Sequence, residues 1–465
     1  MEKYKELIKN IIIFAVGGLG SKIILFLLVP IYTIYLTPVE YGISELVFTI
    51  SQFLIPIITL NIFDALIRFG LSNQENRCNV VLTSFLVWGI GSIFLLLSAF
   101  FFPVFHSFSE WKWYLVSYVI FFGLSQIELN YLKIIDKNFL YSGISIVQTF
   151  VLAICNILLI VVFKSGIRGY LLSNVLSLVF TCIICFLAGK LWSIFLTAKL
   201  DQLLTLRMIK YSLPLIGNNI SWWLVHSTDK MMINWLIGAS ILGIYTVSAK
   251  IPSLLNVVSG FFIQAWGLSS IKEIETSNDF SFYANIFKFF TGFIFLLCVV
   301  INSFIKPFMH IYTGVEFASA WQYVPALLVA ASFNAVSLYF AAFYAALKKT
   351  VNNMITTMIS AFINIIVNYV FILKIGIWGA VIGTLSSYFI IAYLRMLDVR
   401  RYIKIEIEWK SHIFSVIVTI VHMLCVTVEF YTFLISLLSI TILLIINKSE
   451  IILGINLLQA RINRA

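Results

Sequence analysis

Apolar stretches of about 20 residues recur along this chain from end to end, and each is long enough as a helix to cross a hydrocarbon layer roughly 30 Å thick. The approximate spans are 11–36, 43–69, 79–103, 112–134, 140–163, 169–191, 211–237, 241–269, 284–306, 321–347, 351–374, 378–397, 411–429 and 431–447. Inside lipid every backbone N–H and C=O must be satisfied by the protein itself, which leaves helices or a closed barrel. Barrel strands would be near ten residues and alternate in polarity, whereas these segments are continuously apolar, so helices are predicted. Composition agrees: 61% of the 465 residues are hydrophobic and 11% charged, more apolar surface than one soluble core can enclose. The last two spans meet at Glu429 with almost no loop, so thirteen is the alternative to fourteen.

The first span follows a charged start, MEKYKELIKN, resembling the n-region of a secretory signal. Its apolar run outlasts signal length and no A-x-A site follows, so a retained signal anchor is expected. With the N-terminus cytoplasmic, the segments on that side hold 23 of the 31 Lys and Arg, including Arg395 near the inner end of the twelfth span and Arg400 and Arg401 beyond it. The outer loops hold only Lys112, Lys164, Arg168, Lys306 and Lys374. The positive-inside rule then places both termini in the cytoplasm. The net charge of +11 is thus a topology signal rather than a nucleic-acid footprint, and no basic and aromatic surface module accompanies it.

The chain also repeats itself. Lys164, Gly166, Ile167 and Gly169 match Lys374, Gly376, Ile377 and Gly379 at a displacement of 210 residues. Lys9 with Lys210, and Gly42 with Gly243, agree more loosely at 201. The expected architecture is an all-α integral membrane protein of about fourteen transmembrane helices, with two six-helix lobes related by this repeat around a central cavity, and a C-terminal helix pair. Residues 1–191 form the first lobe, 192–208 an amphipathic cytoplasmic linker, 209–402 the second lobe, 403–447 the last pair and 448–465 a tail. An even number of spans inserts both halves the same way round, which suits a carrier.

Charge inside a bilayer is costly, so intramembrane ionisable residues normally face a bundle interior or an aqueous cavity. In the seventh span Asn219, Trp223, His226 and Lys230 form one helical stripe, flanked by Trp222 and Asp229. Lys22 lies midway along the first span beside Gly17, Gly18 and Gly20. Asn61, Asp64 and Arg68 share a face of the second, Lys250 stands in the eighth with Thr246 and Ser253, and Glu128 stands in the fourth. Lys22, Arg68, Lys230 and Lys250 all fall in the first two helices of each half, the placement an anionic cargo would need. Structural readings stand beside these: Arg68 reaching the interface with Asp64 paired at i,i+4, Lys250 reaching the outer interface, Glu128 as a hydrogen-bonded structural carboxylate, and His226 as packing. Asp64, Glu128 and Asp229 are the alternatives for ion coupling to a proton or sodium gradient.

Cys182 and Cys185 spell C-x-x-C in the middle of an apolar helix, where packing is the expected role. No phosphate-binding loop, zinc-protease or hydrolase motif occurs, and the five histidines show no metal-site spacing. Neither an enzyme, a metal nor a cofactor is expected.

The segment LFLLVPIYTIYLTPVEYGISELVFTISQFLIPI from Leu25 resembles the opening helices of Wzx-type O-antigen flippases, in the multidrug/oligosaccharidyl-lipid/polysaccharide exporter superfamily. YSLPLIGNNISWWLVHSTDKMMINWLIGASILGIYTVSAKIPSL from Tyr211 is similar to their seventh and eighth helices. The elements Leu36 to Gly42 and Gly243 to Pro252 carry most of the likeness. Where the seventh helix commonly reads Asp-Arg, this chain has Asp229-Lys230, which keeps the charge and loses the bidentate fork. The resemblance implies a bacterial plasma (inner) membrane protein that moves an undecaprenyl-pyrophosphate-linked oligosaccharide from the cytoplasmic to the outer leaflet by alternating access, for O antigen or another surface polysaccharide. Membrane lipids and polysaccharide polymerase machinery are the implied partners. A cation-coupled multidrug exporter of the same superfamily and a non-transporting scaffold for polysaccharide assembly are the competing expectations.

Overall fold

The computed structural model describes residues 11, 20–72, 75–101, 109–276, 280–347, 349–405 and 407–448. The charged N-terminal start, Gly17, Gly18 and the tail from 449 onward lie outside the described residues. Among those described, the regular structure is entirely helical. In order these are α1 (Gly20–Tyr35), α2 (Pro38–Ile58), α3 (Ile62–Gly70), α4 (Arg77–Phe101), α5 (Lys112–Ile134), α6 (Asn138–Val162), α7 (Gly166–Ala188), α8 (Trp192–Thr197) and α9 (Gln202–Leu236). They continue as α10 (Ala239–Ser248), α11 (Lys250–Thr276), α12 (Phe280–Ser303), α13 (Ile305–Tyr312), α14 (Val315–Ala346), α15 (Thr350–Ile375), α16 (Ile377–Val399), α17 (Trp409–Thr427) and α18 (Thr432–Ile446).

Ten of the described helices are long and apolar enough to cross a membrane, or eleven if the bent pair α10 and α11 counts as one span. The first, seventh and last expected spans do not meet that measure. Only Gly20–Tyr35 of the first and the 15 residues of α18 are described as helix. The seventh, α9, runs unbroken for 35 residues but carries the polar stripe that lowers its hydropathy. The second expected span is broken: Leu60 and Asn61 take left-handed backbone conformations with φ of 47° and 50°, separating α2 from α3. Asn tolerates that region because its short amide bonds locally, here to Asp64.

The chain divides into two compact units, Gly20–Met231 and the rest of the chain from Met232. In the first, α3, α4, α5 and the start of α9 enclose Ile62, Leu66, Val81, Ile127, Ile134 and Met208. The start of α2 is fixed by a capping box, in which Thr37 accepts from the Glu40 N–H and Glu40 accepts from the Thr37 N–H, with Pro38 at the first helical position. In the second unit, Trp266 stacks on Tyr339 at 4.8 Å and donates its Nε1–H to the Tyr339 carbonyl, while the Tyr339 hydroxyl donates to the carbonyl of Tyr283. Arg395 lies inside α16 at 2% exposure, so it is a buried charge and not part of the solvated basic face. Its guanidinium donates to Ser337, Asn353, Thr356 and Thr357, all neutral, and ties α14, α15 and α16 together.

The matched glycines behave alike. Gly166 and Gly376 have positive φ (54° and 60°) at the turn before α7 and α16. Gly169 and Gly379 sit where α7 and α16 press on the preceding helix, against Leu159 in one case and the backbone of Phe371 and Ile372 in the other.

Candidate functional site

The polar stripe of α9 is held against its own unit. The Asn219 amide donates to Asn61 Oδ1 at 2.8 Å, and Asn61 in turn donates to Asp64 Oδ2 at 2.7 Å. One turn on, Trp223 Nε1–H donates to the Thr49 carbonyl at 2.8 Å and its ring packs on Phe53. Two turns further, Lys230 Nζ donates to Glu45 Oε1 at 2.6 Å. Three of the four stripe residues are therefore bonded to α2 and to the break that follows it. Trp222 and His226 lie on the more open side, stacked with ring centroids 5.6 Å apart and planes within 10°.

The Lys230–Glu45 pair is the chemical centre of this region. The two side chains are 25% and 15% exposed, so the pair is partly withdrawn from water, where Coulomb attraction is stronger than at an open surface. Glu45 is also within electrostatic reach of the hydroxyls of Tyr41, Tyr118 and Tyr170. Tyr32 and Tyr41 continue that wall, Tyr32 meeting Tyr170 edge to face at 4.6 Å. Neither Glu45 nor the tyrosines entered the sequence reading. The signal was available: Tyr41, Glu45 and Thr49 recur at i, i+4 and i+8 of an apolar helix, the spacing that exposed the stripe on α9.

The remaining candidates are placed as follows. Asp229 Oδ1 accepts from the Lys230 N–H, so these neighbours meet through the backbone and not as a side-chain pair. Arg68 is exposed at the end of α3 and Asp64 bonds Asn61 instead, with no Asp64–Arg68 ion pair among the described residues. Lys22 is exposed on α1. Lys250 stands in the second unit at the 41° bend between α10 and α11, its carbonyl taking the Ser253 hydroxyl. Glu128 is 2% exposed, and its Oε2 has no hydrogen-bond partner among the described residues. It faces Cys182 and Cys185 of α7, both buried free thiols. Among the described residues no group of three or more His, Cys, Asp and Glu is arranged to hold a metal.

Comparison with solved structures identifies the fold. The lipid II flippase MurJ, in an inward closed conformation, superposes with a TM-score of 0.70 at 13% identity, covering 95% of this chain and 100% of that one. A multidrug resistance MATE family transporter of the MOP superfamily, inward-facing, gives 0.64 at 14% identity, covering 84% and 94%. A mutant of the Vibrio cholerae MATE transporter VcmN gives 0.58 at 13%, covering 87% and 99%. At such identities the likeness is one of fold. No curated protein matches the sequence. A family model described as polysaccharide biosynthesis protein matches residues 7–267, more than half of the chain, and the chain belongs to that family.

Proposed function

We propose that this protein is a flippase carrying an undecaprenyl-pyrophosphate-linked oligosaccharide repeat unit from the cytoplasmic to the outer leaflet of the bacterial plasma membrane by alternating access, for O antigen or another surface polysaccharide. The observation that carries the reading is the Lys230–Glu45 pair. An ammonium neutralised by a carboxylate on another helix is a point for anion exchange: a diphosphate oxygen takes the place of Glu45 on Lys230 and later gives way to it. Family membership supplies the polysaccharide context, and the MurJ-like fold supplies a lipid-linked precedent. Trp222 and His226, stacked and open, offer flat faces to sugar rings. Lys22, Arg68 and Lys250 complete the proposed set of cations. The two six-helix halves, the fourteen spans and the cytoplasmic termini belong to the same proposal.

Glu128, and less directly Asp64 and Asp229, are the groups we assign to coupling with a proton or sodium gradient. The test is leaflet translocation in proteoliposomes with defined lipid-linked oligosaccharides, varied in sugar and in ion gradient. Movement of a pyrophosphate-linked oligosaccharide that is lost in Lys230→Ala supports the reading. Movement of cationic drugs instead would identify an exporter, and movement of neither, with polysaccharide unaffected by Lys22→Ala or Lys230→Ala in cells, would leave a scaffold.

A further inference from the structure

A cavity of about 40 Å³ opens in the second unit, where the start of α12 packs against the start of α17 and the end of α18. A single water needs roughly 10–15 Å³ on this scale, so the space takes one tetrahedral oxyanion or a few waters. At the mouth the Lys288 ammonium and the Glu408 carboxylate lie 2.9 Å apart. Deeper in stand Ser411, His412 and Ser415, on the first two turns of α17.

Three features converge there. His412 is 6% exposed, with Nε2 lying 3.3 Å from the Tyr393 hydroxyl and Nδ1 buried without a hydrogen-bond partner among the described residues. A buried unpaired ring nitrogen is costly, and beside a cavity it fits a group completed by whatever enters. Next, α17 begins at the cavity, and Glu408 at its N-cap makes no side-chain bond to the first turn. With the Trp409 N–H taken by the Ile407 carbonyl, the N–H groups of Lys410 and Ser411 and the positive dipole end are left for an anion. Finally, Lys288 brings a full positive charge to the mouth.

We propose that this cavity binds a phosphate-type oxyanion, with His412 Nδ1–H as its buried donor, Ser411 and the first turn of α17 as further donors, and Lys288 as counter-charge. With the Tyr393 hydroxyl as donor to Nε2, the proton of the neutral ring lies on Nδ1, the nitrogen without a partner among the described residues. Glu408, its side chain 65% exposed, is the group the anion displaces from Lys288. It acts as an internal competitor that tunes affinity. A metal cation fits poorly, because the ammonium and the helix terminus both repel it. The anion is either the headgroup phosphate of an acidic membrane lipid or free inorganic phosphate. This site is separate from the Lys230–Glu45 pair and does not depend on what the protein transports.

The test uses the full-length protein in detergent with phosphatidylcholine, following thermal unfolding. Inorganic phosphate is titrated in one arm and phosphatidylglycerol is added in the other, with chloride at matched ionic strength as control. A saturable rise in Tm is expected in at least one arm. A response to inorganic phosphate identifies a small-anion site, and a response to the lipid alone identifies a headgroup site. Lys288→Gln and His412→Phe should each raise the half-saturating concentration at least tenfold, and Glu408→Gln should lower it severalfold. No saturable rise with either probe, or a rise that Lys288→Gln leaves unchanged, would overturn the proposal. Lys288 is only partly buried, so its variant decides the matter even if His412→Phe fails to fold.

Discussion

Lys230 has a carboxylate beside it in the chain and takes another, Glu45, 185 residues earlier. Helix geometry is the reason: adjacent residues project about 100° apart, so Asp229 cannot reach across to the ammonium while α2, packed alongside, can. Removing one partner strands the other away from full solvent. Glu45→Gln should cost roughly 1–3 kcal/mol, between the exposed and fully buried limits, and the swap Glu45→Lys with Lys230→Glu should restore part of it. Thermal unfolding of the purified variants reads both, and a swap no better than the single variants would show that the pair does not act as a unit. Arg395 makes the second case. Its donors all meet neutral acceptors, so Arg395→Lys keeps the charge but loses the planar fork that reaches four side chains at once, a loss of about 2–4 kcal/mol. An unchanged Tm would refute the clamp. The sequence exposes that charges lie in apolar surroundings, which is a matter of composition. It does not show their partners, because Ser337 and Thr357 are remote in sequence from Arg395 and meet it only through packing.

At the scale of elements, the parts most legible in the sequence are those with local causes. The Thr-Pro-x-Glu run that carries the family likeness is also the capping box that starts α2, so one short string is both a resemblance and a physical instruction. The broken second span was not legible: LNIFD offers the local Asn61–Asp64 bond that a left-handed asparagine can use, but the bond from Asn219 that also holds Asn61 comes from 158 residues away. The glycine repeat lies between these cases, since a displacement of 210 residues is visible in the chain but its use is not. Gly376 meets open space, and a side chain there suffers only from its positive φ, at about 1–3 kcal/mol. A Cβ at Gly379 would overlap the backbone of Phe371 and Ile372, which cannot swing aside as a side chain does. Gly379→Ala should therefore sharply reduce the amount of folded protein, while Gly376→Ala should still accumulate with a lowered Tm. The reverse order would mean that α15 and α16 separate easily.

For the whole molecule, the number of apolar windows is a sound guide to class and a weaker guide to spans. Windows measure hydropathy, and α9 gives up hydropathy to hold Asn219, Trp223 and Lys230 against its neighbours. Orientation is the whole-molecule expectation that the sequence carries most directly, and the buried Arg395 removes only one residue from a lopsided count of basic charges. It leads to a sharp prediction. If the halves are repeats separated by an even number of spans, the matched turns at Lys164 and Lys374 must emerge on the same side, and the scarcity of basic residues near them makes that side the outer one. In a variant lacking the six native cysteines, single substitutions Lys164→Cys and Lys374→Cys should react with a membrane-impermeant maleimide on intact cells. Lys137→Cys, Lys190→Cys and Lys349→Cys should react only after the membrane is opened. Labelling of Lys164→Cys and Lys374→Cys from opposite sides would break the parallel repeat, because no even number of crossings can separate two turns that face opposite compartments.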